Sequence, residues 1–335
     1  MRHLLLALLA PVALAAQAHD HHQHHPSAAA PAATADAARL GAQLEAVRRT
    51  TARYQDVEAA KADGYVRFGR DEGPLMGEHW YRKDAPEPAP GTPVDLEHPG
   101  TLQYATIGGR RVLVGVAYSV RLRPGDPLPE GFAGAQDHWH QHDIPKFVRA
   151  ATEERPLLRW LAEGWIRRDY TRKGDDRSLL TMVHAWVWLE NPDGPFADVH
   201  RTLPYLRAGL PAAWTADSLG GDEAAARGVA LVAGDGCAQT LDGELWVAQA
   251  DRRQRRALRA ECDQLAAGLR RMLPPQGSAA DSALLAPAAH SPAAARALNA
   301  AAADAWRALD AAKTRTLTPR QRARIASVTE HGPMT

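Results

Sequence analysis

Cysteine is almost missing from this chain: its 335 residues hold only Cys237 and Cys262. Neither has a companion thiol close in sequence, which disfavours a thiolate metal site. The pair reads instead as one disulfide formed in an oxidising compartment. Closing a loop of that size contributes on the order of 3 kcal/mol. An excess of charge is missing too, since 40 basic and 39 acidic side chains leave a formal net charge of +1. No global field therefore points to nucleic acid. The basic run at residues 252–256 is surrounded by Asp251, Glu261 and Asp263 and reads as a solvated helix face. Also absent are a His-Glu-x-x-His helix, a Gly-x-Ser-x-Gly elbow and a phosphate-binding Gly-Lys-Ser/Thr loop, so nothing supports nucleophilic catalysis.

Long apolar runs are scarce. The one at the start, Leu4 to Ala16, is too short to span a bilayer comfortably and follows the positive Arg2. Residues 1–18 read as a secretory signal ending in the small-residue site Ala16-Gln17-Ala18. The expected product is periplasmic or secreted, with no stable membrane insertion after cleavage. Cleavage there would expose a new amino terminus rich in imidazole: His19, His21, His22, His24 and His25. A free amine, two backbone nitrogens and the third-position His21 make a square-planar nitrogen set suited to copper(II) or nickel(II). A loose, disordered His-rich tract is the plainer reading. A Pro/Ala linker through residue 34 separates this tract from the fold.

Aromatics are few, yet nine of them are tryptophan, and most of these fall between Trp80 and Trp214. Alanine dominates the two ends. Apolar spacing predicts a helix over residues 35–62, ended by Asp63-Gly64. Strands are predicted at 101–107 and 110–120, joined through Gly108-Gly109 as a tight hairpin. A helix over 144–164 and an alternating strand over 179–189 follow, then a turn at residues 191–195 and a short helix at 202–210. From about Asp222 the pattern is helical, at 223–232, 241–273, 291–313 and 319–328. The expected fold is α+β: an antiparallel sheet domain at 35–215 preceded by a helix, and an α-helical region at 222–335.

The densest chemistry lies in Asp137-His138-Trp139-His140-Gln141-His142-Asp143. In an extended segment His138, His140 and His142 project from one side. Neutral imidazole is the commonest side-chain ligand for copper, zinc and nickel. His79 and His184 lie in or beside other candidate strands, where a sheet can bring them to a common centre. Taken singly, each is as readily a satisfied core histidine. His200 follows a turn and could cap the next helix, and His98 reads as a loop residue. Glu78, Asp137 and Asp143 could orient imidazoles. In an enzyme, Glu78 or Asp143 could act as base on a metal-bound water. The sequence thus favours a transition-metal-binding protein, copper first, then zinc or nickel. A metal-dependent hydrolase or oxidoreductase using the same histidines is the alternative. A structural or chaperone-like envelope protein is the third, and a homo-oligomer is compatible with each.

Two resemblances accompany these residues. Met76-Gly77-Glu78-His79-Trp80, Asp95-Leu96-Glu97-His98-Pro99, Trp139-His140-Gln141-His142, His184-Ala185-Trp186-Val187-Trp188 and Asn191-Pro192-Asp193-Gly194-Pro195-Phe196-Ala197 lie within residues 52–206. On these pieces the stretch resembles a poorly characterised family of exported bacterial proteins, which implies an α+β fold but no defined activity. Where that family tends to carry an Asn-Pro pair, this chain reads Val199-His200-Arg201, so the resemblance does not extend to His200 as a family ligand. Leu317-Thr318-Pro319-Arg320-Gln321 looks like the Leu-Thr-x-x-Gln motif of periplasmic helical proteins tied to metal resistance and envelope stress. Kinship there would imply metal sensing or a chaperone-like surface. A helix N-cap at Thr318 explains the same residues physically.

Overall fold

The computed structural model describes residues 34–69, 72–134, 137–170, 179–211, 214, 223–273 and 292–329. The expected signal segment and the His-rich sequence at residues 19–25 lie outside these residues. Helix α1 (Thr34–Thr51) runs into a 3-10 turn (Ala52–Gln55) and then α2 (Val57–Ala62), which restarts where Asp56 caps the amide of Glu58. The single helix expected over 35–62 is therefore interrupted. Gly64 closes the unit at φ +85°, a conformation that favours glycine.

Six strands follow: β1 (Tyr65–Arg67), β2 (Glu78–Arg82), β3 (Thr101–Ile107), β4 (Arg110–Leu122), β5 (His140–His142) and β6 (Leu179–Ala185). They form one sheet in the order β1-β2-β3-β4-β6-β5, every neighbouring pair antiparallel. Gly108 and Gly109 both take positive φ in the β3–β4 hairpin, as its two-residue turn requires. Between β4 and β6 the chain forms α3 (Ile144–Thr152) and α4 (Pro156–Trp165), then a π turn (Ile166–Tyr170). One helix was expected here. The break falls at Glu153–Arg155, where Pro156 begins a new helix in the position proline tolerates.

The sheet has two unlike faces. Trp80, Leu102, Val116 and Ala185 stand in one cross-strand row and pack with Val47, Tyr54 and Ala60 of the N-terminal helices. The alternation of strand residues puts His79, Gln103, Gly115, Ala117 and His184 on the opposite face. A bulge falls where Gln103 pairs Gly115 but Tyr104 pairs Leu113. Bulges bend and over-twist a sheet locally.

Beyond the sheet come α5 (Leu203–Arg207), α6 (Glu223–Ala230), α7 (Gly236–Val247), α8 (Arg252–Arg270), α9 (Pro292–Thr316) and α10 (Pro319–Thr329). The helix expected over 241–273 is two helices. Gln249 at φ 52° turns the chain, and Asp251 with Gln254 forms a capping box that starts α8. Cys237 and Cys262 are bonded, tying α7 to α8. The helical region shares one hydrophobic cluster with Leu75, Met76, Val199 and Tyr205 from the sheet half. Tyr205 Oη donates to Asn299 Oδ1 at 2.8 Å across this boundary. Among the described residues no helix is long and apolar enough to cross a membrane.

Candidate metal centre

His79 on β2 and His184 on β6 are separated by two strands, a span of roughly 14 Å between backbones. Their rings nevertheless stand 5.6 Å apart, centre to centre. The intervening row makes this possible, because it holds Gln103 and then Gly115, which leaves the sheet surface low between the two rings. His140, brought in by β5 at the sheet edge, places its ring 5.0 Å from His184. His142, two residues on and facing the same way, stands 4.9 Å from His140. Two imidazoles on one tetrahedral ion have ring centres roughly 5 Å apart, given about 2 Å from metal to nitrogen. These spacings fall in that range. Still, among the described residues no group of three or more His, Cys, Asp or Glu side chains stands ready-made for a metal ion. The rings would have to turn for their nitrogens to meet.

The centre is buried. His184 is fully inaccessible, His140 and His142 are nearly so, and His79 keeps some accessible surface while its Nε2 is covered. Burial disfavours the imidazolium form. It lowers His79 to about 4, with the positive form of His140 adding to the effect. It pulls His184 far below its ordinary value, again with His140 and His79 opposing a second charge. His79 and His184 are thereby held neutral near pH 7, the state a metal ligand needs.

Asp198 organises the cluster. Its backbone carbonyl accepts from His184 Nδ1 at 2.9 Å, which assigns the proton to Nδ1 and leaves Nε2 as the lone-pair nitrogen. That Nε2 is buried and has no hydrogen-bond partner among the described residues; the same holds for Nε2 of His79. The Asp198 carboxylate lies 2.9 Å from His140 Nδ1 and 3.0 Å from His138 Nδ1. Burial alone would raise this carboxyl, but the bonds from His138 and His140 and their charges hold it well below the usual carboxylate range. His138, half-buried, is raised by its hydrogen bond to Asp198, against the effect of burial. It reaches the cluster through the carboxylate.

The loop carrying Asp198 is stitched onto β6. Trp186 donates its backbone N–H to Pro195 O at 2.8 Å and its indole N–H to Ala197 O at 2.7 Å. Asn191 Nδ2 donates to Val199 O at 2.9 Å. These bonds explain why β6 stops at Ala185, short of the residue 189 that alternation predicts: Trp186 takes its partner from the loop. They also give the His-Ala-Trp-Val-Trp and Asn-Pro-Asp-Gly-Pro-Phe-Ala segments a common purpose, which is to present Asp198. His200 follows, fully buried, its ring edge-on to Trp186 at 4.9 Å. Burial lowers it to about 4, opposed by backbone groups of Leu189 and Glu190. The N-cap position of the helix after it is Thr202, not His200.

The carboxylates offered from sequence as helpers are engaged elsewhere. Glu78 lies on the other face of the sheet, ion-paired to Arg67 and Arg111 and accepting from Trp80 Nε1. Asp137 accepts from the Trp139 indole, and Asp143 caps α3 through the amide of Lys146. Their place is taken by Asp198, whose signal was only its position two residues before His200 in a turn motif. His98 pairs with Asp95 on an exposed loop. The Leu317–Gln321 segment is a reciprocal capping box: Gln321 N donates to Thr318 Oγ1, and Thr318 N to Gln321 Oε1, with Leu317 buried beneath. Comparison of the chain with family models, with curated proteins and with solved structures returns no match.

Proposed function

We propose that this is an exported, periplasmic protein that binds a transition metal ion through His79, His140 and His184. His142, its ring beside that of His140, flanks this set, and His138 is an outer support through Asp198. One observation carries the reading: three sequence-distant imidazoles converge on a buried patch, and Asp198 directs His184 Nδ1 and His140 Nδ1 away from it. A histidine ligand characteristically gives its second N–H to a carbonyl or carboxylate, which fixes tautomer and ring orientation. An all-imidazole set suits copper first, then zinc or nickel, and both cysteines are occupied by their disulfide. Metal capture by His19, His21, His22, His24 and His25 belongs to the same proposal.

The test is metal analysis of the chain purified without an affinity tag, with the five tract histidines replaced by alanine. About one equivalent of copper or zinc should be retained, and His140→Ala/His184→Ala should lose it. Equal metal in both proteins would refute the folded centre. Chelation separates this reading from a purely structural role: removing metal held at about a thousandfold over its Kd should cost about 4 kcal/mol of stability.

A further inference from the structure

Gln103 is wholly buried on the histidine face, paired across the ladder with His79 on one side and Gly115 on the other. Neither Oε1 nor Nε2 has a hydrogen-bond partner among the described residues. Each buried polar group left unmet costs about 1–3 kcal/mol, so an amide in this position is an expensive choice over leucine or methionine. The surroundings preserve its path. A Cβ on Gly115 would stand 3.0 Å from Gln103 Oε1, 2.8 Å from Ala185 O and 3.3 Å from Trp186 Cα. The amide oxygen therefore lies over Gly115 of β4, on the face that carries His79 and His184. The bulge adjoins this same pair. An amide supplies a donor and an acceptor side by side, whereas the lone-pair nitrogens of the neutral histidines supply no donor.

We propose that Gln103 grips an exchangeable oxygen or anion ligand in a fourth position of the His79–His140–His184 centre. The inference rests on the metal-binding reading above and extends it. A water there accepts from Nε2 and donates to Oε1, and a small anion takes the Nε2 bond alone. Three protein ligands with an open position distinguish a centre able to do chemistry from a closed storage site. Gln103 acts on the exogenous ligand and does not decide whether the ion binds.

The experiment uses the full chain, its five tract histidines replaced by alanine, loaded with cupric ion and titrated with azide. Binding is followed by the charge-transfer absorption that azide gives on copper(II). Wild type should show a saturable azide response. Gln103→Leu should keep one copper per chain but bind azide at least about tenfold more weakly. Gln103→Glu, whose carboxylate repels an anion, should weaken it as well. The metal-free Gln103→Leu protein should melt no lower than wild type, since an unmet polar group has been removed. A copper-loaded wild type without azide response overturns the proposal, and so does unchanged azide affinity in a folded Gln103→Leu. The wild-type arm decides even if a variant fails to fold. Failure of copper to bind wild type at all would instead strike the metal-binding reading and take this inference with it.

Discussion

Asp198 shows what single residues contribute here. One carboxylate faces His138 and His140 and the same residue's carbonyl accepts from His184, so three imidazoles are oriented from one position. Asp198→Asn keeps the backbone bond to His184 but removes the negative charge that the His138 and His140 rings face. Metal affinity should fall about 10- to 100-fold, measured by competition with a chelator of known strength. Affinity equal to wild type would remove Asp198 from its orienting role. At this scale the histidines were legible because three in five residues is a dense signal. Asp198 and Gln103 were not, because nothing local marks them; only strand pairing and the folded-back loop bring them to the cluster.

Among the elements, the hairpin of β3 and β4 was readable from Gly108-Gly109 and clean flanking runs, and the helices from their spacing. The misjudged ends share one cause. Residues 186–189 alternate like strand, and residues 144–164 and 241–273 are apolar at helical spacing throughout. In each case a partner outside the segment, or a cap inside it, ended the element. Gly77 ties such local detail to the site, since it sits at φ +74° immediately before β2. A Cβ there would come within 2.2 Å of Tyr104 O. Gly77→Ala should destabilise the protein by at least about 2 kcal/mol in urea unfolding, through both strain and clash. It should also displace His79 and weaken metal binding. A variant as stable as wild type would show that β2 can shift freely.

The whole molecule was less legible than its parts. The expected boundary near residue 222 marks a change of pattern. One hydrophobic cluster crosses it, however, because Met76, Val199 and Tyr205 complete the helical core. Replacing Cys237 and Cys262 with serine should cost on the order of 3 kcal/mol, read as a lowered urea midpoint. An unchanged midpoint would mean that the bond constrains little. The buried histidines set the pH response of the metal-free protein. His79 and His200 are lowered to about 4 in the fold against about 6.5 unfolded, and His184 shifts the same way. The unfolded chain therefore binds more protons between these values. Their contribution to stability is complete above about pH 6.5 and drains as pH falls toward 4. His138, raised by Asp198, works in the opposite sense, its contribution present at low pH and lost as pH rises. With three groups against one, the metal-free urea midpoint should be clearly lower at pH 5 than at pH 7.5, and equal midpoints would contradict the buried-neutral assignment.

Convergence of His79, His140 and His184 on one ion is tested most directly by an anomalous difference map from crystals of the copper-loaded chain, collected at the copper edge. The account predicts a strong peak bounded by the Nε2 atoms of these three side chains and lying within reach of the Gln103 amide. Peaks confined to the N-terminal tract or the outer surface, with the three rings unmoved and bare, would contradict it.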